Sequence, residues 1–295
     1  MQLCAIRAEL GKKAGIHSDG LIYCVDDLLV AMGSRAPALD SLSVCDQIMT
    51  IAQSPSLQAD LRGFFSAVDP LSADSVVYAV PVSGPVIGVG RNYQDHVNEG
   101  GLLTGEYPKL FFKHPNSLAA HGENVLIPKS ICKADWEAEL GVIIGKEMSR
   151  VSVEDALSFV AGFINVNDVS AREFQFDFGP AQTSFAKSMD GFCPVGPWLV
   201  TSDEIADCQN LTVRCEVNGV VKQDGHTAYM IYTVAQILSH ISQFMTLRPG
   251  YLIATGTPLG VGHFQIPPQY LDDSDVVRVA VQGLGVLENR FVRER

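Results

Sequence analysis

From Val77 onward the chain advances in short β-prone runs, each closed by Gly, Pro or another turn former. The runs are Val77–Pro81, Val86–Gly90, Leu110–Phe112, Val125–Ile127, Leu140–Ile144, Gly162–Val169, Leu211–Val217, Tyr251–Thr255 and Val276–Val281. This punctuation predicts an α+β, mostly β domain with peripheral helices. Two helical segments interrupt it. One is Ser152–Ala161, with Ser152 placed to cap it ahead of Glu154 and Asp155, and the other is Thr233–Phe244. Residues 1–80 read as a separate small α/β module, leaving 81–295 as the main domain. Within the module, Met1–Ala8 predicts a strand, Glu9–Gly15 a charged turn, and His17–Val25 a second strand broken by the hairpin signal Asp19-Gly20. Helical patterns follow at Asp26–Met32, Cys45–Ala52 and Ser56–Phe65.

With 295 residues, 47% hydrophobic and 18% charged, the chain can bury a core without covalent staples. Its formal net charge is −12 and its only Lys/Arg doublet is Lys12-Lys13, which argues against a nucleic-acid partner. Seven cysteines at irregular spacing, with no C-x-x-C, suit reduced thiols in the cytoplasm better than disulfides or zinc. The first residues meet charge too early for a signal peptide, and no window approaches the roughly 18 apolar residues of a membrane span.

The segment Asp135-Trp-Glu-Ala-Glu-Leu-Gly-Val-Ile-Ile144 carries the sharpest chemical signal. On a strand Glu137 and Glu139 point to one face, where two carboxylates repel unless a cation sits between them; a hard divalent ion is the natural candidate. A strand with one solvated face would show the same alternation. Asp168 interrupts a second apolar run, either as a third oxygen donor or as a strand-end turn residue. Three donors would leave positions on an octahedral ion for water and a chelating substrate.

Upstream, His96 and Glu99 stack three apart on a helical turn, so Glu99 could orient His96 as a general base, with Gly100-Gly101 supplying a hinge. An exposed polar turn would look alike. Arg172 and Lys187 are the cations nearest the acids in sequence, suited to hold a substrate carboxylate or simply to sit on the surface. The turn Thr255-Gly256-Thr257-Pro258-Leu259-Gly260 offers backbone amides to an anion. Neither it nor Gly88-Val89-Gly90 completes a nucleotide-loop pattern.

Ordered along the chain, Gly-Arg-Asn-Tyr-x-x-His-x-x-Glu, Glu-x-Glu-Leu-Gly-Val, Asn-Asp-Val-Ser-Ala-Arg, Ala-Lys-Ser-x-Asp and Thr-Gly-Thr-Pro-x-Gly-Val-Gly closely resemble the fumarylacetoacetate hydrolase family, from about Pro85 to Arg295. The resemblance implies a twisted β-sheet roll around a site for Mg²⁺ or Mn²⁺ held by Glu137, Glu139 and Asp168. It also implies a water-activating His96–Glu99 dyad on a lid, Lys187 as oxyanion stabiliser, and substrate contacts from Arg91, Tyr93, Arg172, Gln175 and Thr257. Homodimeric assembly and a small 2-oxo or 2,4-dioxo acid substrate go with it. The implied reaction is hydrolytic C–C cleavage of an acylpyruvate or sugar-derived diketo acid. Decarboxylase, isomerase, hydratase and lyase chemistry remain family alternatives, and an inactive metal-stabilised binding protein is the alternative of another class. Three places depart from the pattern or leave it open: the loop Asp177–Thr183, Tyr251 where relatives carry an acid, and His114, which either lines the pocket or sits in a turn.

Overall fold

The computed structural model describes every residue except Leu10, residues 34–38, Asp40 and Thr104. The chain opens with β1 (Gln2–Ala8), β2 (Gly11–Ser18) and β3 (Leu21–Cys24), an antiparallel meander whose second turn is Asp19-Gly20. Residues from Gly11 to Gly15 are therefore strand rather than charged turn. Ala14 and Ile16 are buried against the module core while Lys12 stays exposed, so alternation places this stretch on a half-buried sheet. Three helices follow: α1 (Val25–Met32), α2 (Val44–Ala52) and α3 (Pro55–Gly63). The Ser43 and Ser54 hydroxyls accept the backbone N–H of Asp46 and Leu57, capping α2 and α3. Short strands β4 (Leu71–Ser72) and β5 (Tyr78–Ala79) complete the first 80 residues.

The remainder runs β6 (Val86–Gly90), α4 (Gln94–Glu99), β7 (Lys109–Lys113), β8 (Leu118–Ala120), β9 (Asn124–Ile127), β10 (Ala134–Asp135) and β11 (Ala138–Ile144). Next come β12 (Val160–Asn167), β13 (Ser170–Ala171), α5 (Thr183–Ala186), β14 (Cys193–Thr201), β15 (Thr212–Val217) and β16 (Val220–His226). The last elements are α6 (Val234–Phe244), β17 (Leu252–Ala254), β18 (Val276–Val281) and β19 (Leu287–Arg293). The expected strand-dominated α+β architecture is the one the chain adopts.

The main sheet runs β4-β3-β2-β1-β14-β12-β11-β17-β6-β7, with β5 and β8 attached at its side, and a second sheet runs β16-β15-β18-β19-β9. The boundary expected near residue 80 would fall between β5 and β6, yet β1 pairs with β14 through Gln2↔Val200 and Leu3↔Leu199, so one sheet runs through both stretches. Strand β11 is buried along its whole length. Ala138, Leu140, Val142 and Ile144 enter one core while Ile143 enters another, which explains the unbroken apolar reading of Leu140–Ile144.

One helix expected from sequence is absent. Over Ser152–Ala161 there is only a 3₁₀ turn, Ala156–Phe159, before β12 begins at Val160. Ser152 does accept the Asp155 N–H, at 3.3 Å, but the turn it caps stops there because Val160 pairs with Ile144 in the main sheet. Ladder bonding of a β-branched residue outweighs the local helix signal. The Thr233–Phe244 helix forms as expected, with a reciprocal capping box between Thr233 and Gln236.

Candidate metal centre and its cleft

Register brings the three acids together. In the antiparallel pair β11–β12, Ala138 stands opposite Asn167 and Glu139 opposite Val166, so Glu137 and Asp168 lie across from each other just beyond the ladder. The Asp168 N–H donates to the Glu137 carbonyl at 2.8 Å, and the Glu137 N–H to the Asn167 side chain at 3.1 Å. Each of Glu137, Glu139 and Asp168 offers a carboxylate oxygen, all within 4.8 Å of one another, and all three residues are buried. A solvated strand face is excluded: Glu139 is 1% exposed and Asp168 0%.

Two lysines flank the group. The Lys187 ammonium donates at 2.7 Å to Glu137 Oε2, to Asp168 Oδ2 and to the Ser170 hydroxyl. Lys113, on β7, reaches Asp168 Oδ1 at 2.5 Å and the Phe192 carbonyl at 3.0 Å. Nothing in the sequence reading assigned Lys113 a role. Its signal is positional: Phe111 and Lys113 share the inward face of a strand whose Phe112 points out, so a lysine had to be buried.

Arg172 does not stand free for a substrate. Its Nε donates to Asp135 Oδ2 at 2.8 Å, a second nitrogen lies 2.7 Å from Glu137 Oε1, and a third donates to Gln175 Oε1 at 2.8 Å. Asp135 in turn accepts the backbone N–H groups of Gly262 and His263. Arg172 therefore holds Glu137 in place and positions Gln175 on a π-helical turn, Glu173–Asp177, one residue wider than an α turn.

The glycine-rich turn does spend its amides on acidic groups, and they are the protein's own. Gly256 N–H donates to Glu139 Oε2 at 2.8 Å, and Gly260 N–H is shared by both Glu99 carboxylate oxygens at 3.1 Å. Gly256 has φ +100, and a Cβ there would come within 2.7 Å of Asn92 Cβ, so glycine is required. The Thr257 hydroxyl donates to the Ala138 carbonyl at 2.9 Å and accepts from Gln223 at 2.8 Å.

Charge balance within the cluster is uneven. Burial pushes the Glu137 carboxyl up, but Lys187 and Arg172 overcome it and hold the pKa down at about 2. Burial, then the Asp168 and Glu137 carboxylates, push Glu139 well above the ordinary range. Burial opposes the charge on Lys187, yet Asp168 and Glu137 outweigh it and raise its pKa. Among the described residues, Glu139 is thus the acid without an ion-pair partner, facing two negative neighbours. Three buried, hard oxygen donors, one of them without an ion-pair partner, fit a hard divalent cation.

A cavity of about 90 Å³ opens on this centre, with Glu137, Glu139, Lys187 and Thr257 in its wall. His96, Arg91, Arg172 and Gln175 line it too, as do Phe111, Phe176 and Phe264. His96 and Glu99 come together on α4 with Nδ1 3.6 Å from Oε2, longer than a hydrogen bond, and His96 Nδ1 has no hydrogen-bond partner among the described residues. Tyr93 is not in the wall. It is fully buried behind Glu139, its hydroxyl pKa raised by burial and by that carboxylate. His114 sits in a turn, its Nδ1 accepting the Asn116 N–H. Among the expected motif residues, Asn92 is a brace: its side chain bonds to the Thr255 carbonyl and to both backbone groups of Tyr232.

Residues 85–292 match the family model described as fumarylacetoacetate (FAA) hydrolase C-terminal. A 2,4-didehydro-3-deoxy-L-rhamnonate hydrolase of Sphingomonas sp. (strain SKA58) is 45% identical over 230 residues, covering 77% of this chain and 80% of the relative. A mitochondrial oxaloacetate tautomerase, FAHD2A of Bos taurus, is 39% identical over 233 residues, covering 78% of this chain and 74% of the relative. Among solved structures, a fumarylacetoacetate hydrolase from Exiguobacterium antarcticum has a TM-score of 0.80 at 33% identity, with 100% of both chains covered. Maleylpyruvate hydrolase from Sphingobium sp. SYK-6, in complex with manganese(II) ion and pyruvate, has a TM-score of 0.79 at 25% identity, again with 100% of both chains covered.

Proposed function

The chain belongs to the fumarylacetoacetate hydrolase family, and we propose that it is a divalent-metal-dependent hydrolase cleaving a C–C bond in a 2,4-dioxo acid. The observation that carries the reading is one cavity lined by Glu137, Glu139, Lys187 and His96, with Asp168 buried behind it. Glu137, Glu139 and Asp168 would hold Mg²⁺ or Mn²⁺, whose chemistry when bound is to draw electron density from the 2-oxo acid head.

The protein's own groups divide the remaining work. Arg172 fixes Glu137, Lys113 fixes Asp168, and Gly256 orients Glu139, so the donors are held before substrate arrives. His96, its Nδ1 unbonded, takes a proton from a water that attacks the distal carbonyl, and Glu99 steadies the imidazolium formed. The C3–C4 bond then breaks, its electron pair passing into a pyruvate enolate whose charge the Lys187 ammonium in the cavity wall offsets. Return of the proton to C3 gives pyruvate and a carboxylic acid. Gln175 and Thr257 shape the cavity wall where the substrate lies.

Acylpyruvates and sugar-derived diketo acids are the substrate types, in keeping with the rhamnonate-derived substrate in one relative's name. Tautomerisation of oxaloacetate is the second reading, favoured by the 39% identical tautomerase and by a dyad whose 3.6 Å separation leaves His96 free to move a proton without water. Seven free thiols favour a reducing compartment such as the cytoplasm, and we propose a homodimer acting there.

Purified protein given Mg²⁺ or Mn²⁺, with and without chelator, tests the reading. Metal-dependent formation of pyruvate plus a carboxylic acid from acylpyruvates supports hydrolysis. Turnover of oxaloacetate alone, without net cleavage, supports the second reading. No turnover of either compound class removes both and leaves a binding protein.

A further inference from the structure

His96 is held loosely for a base. Its Nδ1 has no hydrogen-bond partner among the described residues, and Glu99 Oε2 stands 3.6 Å away. The two Glu99 oxygens share the Gly260 N–H instead. What bears on the imidazole is a second ring, Phe264, with centroids 5.7 Å apart and planes at 47°. Packing, rather than hydrogen bonding at Nδ1, therefore sets the imidazole.

Phe264 ends a 3₁₀ turn, Gly262–Phe264. The Gly262 and His263 N–H groups of that turn donate to the two oxygens of Asp135 at 2.7 and 2.9 Å. Asp135 is fully buried and also accepts from Arg172 Nε, while Arg172 lies 2.7 Å from Glu137. One carboxylate thus anchors both the Phe264 turn and the side chain that fixes Glu137. Behind the ring stands Phe176, 6.1 Å away at 67°, itself stacked on His263 at 4.5 Å and 7°. His263 Nδ1 is bonded in turn to the Tyr270 hydroxyl at 2.9 Å.

The helix that carries His96 has a matching feature. A Cβ at Gly100, which caps the C-terminus of α4, would lie 2.7 Å from two atoms of the Phe264 ring and 2.9 Å from Leu102 Cγ. Gly100 has φ −84, which any residue adopts, so the backbone does not call for glycine there. The close approach of Phe264 and Leu102 does.

We propose that Phe264 is a positioning residue, which carries the geometry fixed at Asp135 across to the His96 imidazole and so sets the base against the substrate. The inference rests on the reading above, in which His96 moves the proton. A ring that only filled the cavity wall would need neither an anchor shared with Glu137 nor a bare Gly100 to lie against.

Steady-state kinetics on the Mn²⁺-loaded protein tests it, with whichever of an acylpyruvate and oxaloacetate the wild type turns over faster. Phe264→Ala should lower kcat by about ten- to a hundredfold and leave KM and metal affinity in place. Gly100→Ala crowds the ring without removing it and should lower kcat in the same way. Phe264→Met keeps apolar bulk against the imidazole and should retain most of the rate; each variant is checked for an unchanged thermal melt. Placed on His96→Ala, whose residual turnover is followed over hours, Phe264→Ala should cost nothing further, since no imidazole is left to set. An unchanged kcat in Phe264→Ala, a loss carried by KM, or a loss as large in the His96→Ala background overturns the positioning role and leaves His96 as the base. Wild-type turnover in His96→Ala overturns the base, and this inference with it.

Discussion

The ammonium of Lys113 lies 2.5 Å from Oδ1 of Asp168, and both side chains are 0% exposed. Since Lys187 holds the other oxygen, the Asp168 carboxylate is clamped from two sides within the core. Lys113→Met removes one clamp and leaves a buried acid under-compensated. The expected cost is about 3 kcal/mol of folding stability, read as a lower urea midpoint at unchanged slope. A midpoint within error of wild type would show that Lys187 alone satisfies Asp168.

His96→Ala is expected to lower kcat by about a hundred- to ten-thousandfold without changing metal affinity, because the imidazole lines the cavity but is not among the three clustered acids. Single-turnover kinetics alongside metal titration separates the two effects. Unaltered turnover would take the imidazole out of the reaction.

Two of the three acids, Glu139 and Glu137, predict an opposed pH behaviour in metal-free protein. Glu139, pushed up by burial and then by Asp168 and Glu137, keeps in the folded state a proton that it loses on unfolding. Its stabilising contribution is full below the unfolded pKa and disappears as pH rises through the folded one. Glu137 behaves inversely: its contribution is present above the unfolded pKa and is lost as pH falls through about 2. Denaturant titrations of metal-free protein from about pH 5 to 8 should therefore show a decline that Glu139→Gln flattens. Parallel slopes would contradict it. Metal uptake should also release a proton, visible as a buffer-dependent binding enthalpy.

Gly256→Ala forces a side chain into a φ of +100 and to within 2.7 Å of Asn92 Cβ. A loss of about 2 kcal/mol is expected, together with weaker metal binding, because the same residue's N–H orients Glu139. Wild-type metal affinity in this variant would show that Glu139 does not depend on that amide.

Much of the site was legible before any coordinates. Glu137 and Glu139 share a strand face through the two-residue period, and His96 and Glu99 meet through the helical one. Both are local geometry. What local geometry could not reveal was commitment. Arg172 reads as a free guanidinium until Asp135 and Glu137 are seen to occupy it, and Tyr93 reads as a cavity residue until it is found buried behind Glu139. The failed helix over Ser152–Ala161 has the same origin: its cap is local, but the pairing of Val160 with Ile144 that ends it is not.

By itself, then, the sequence determined which residue types were available and at what short-range spacing, and with them a strand-rich fold, a pair of acids on one strand face and a His–Glu turn. Tertiary structure alone decided that Asp168 faces Glu137 across β11 and β12, and that Lys113 reaches it from β7. The reason is physical. Charges brought close by the fold come from stretches far apart in the chain, and which of them neutralise one another depends on ångström separations inside a poorly screening core.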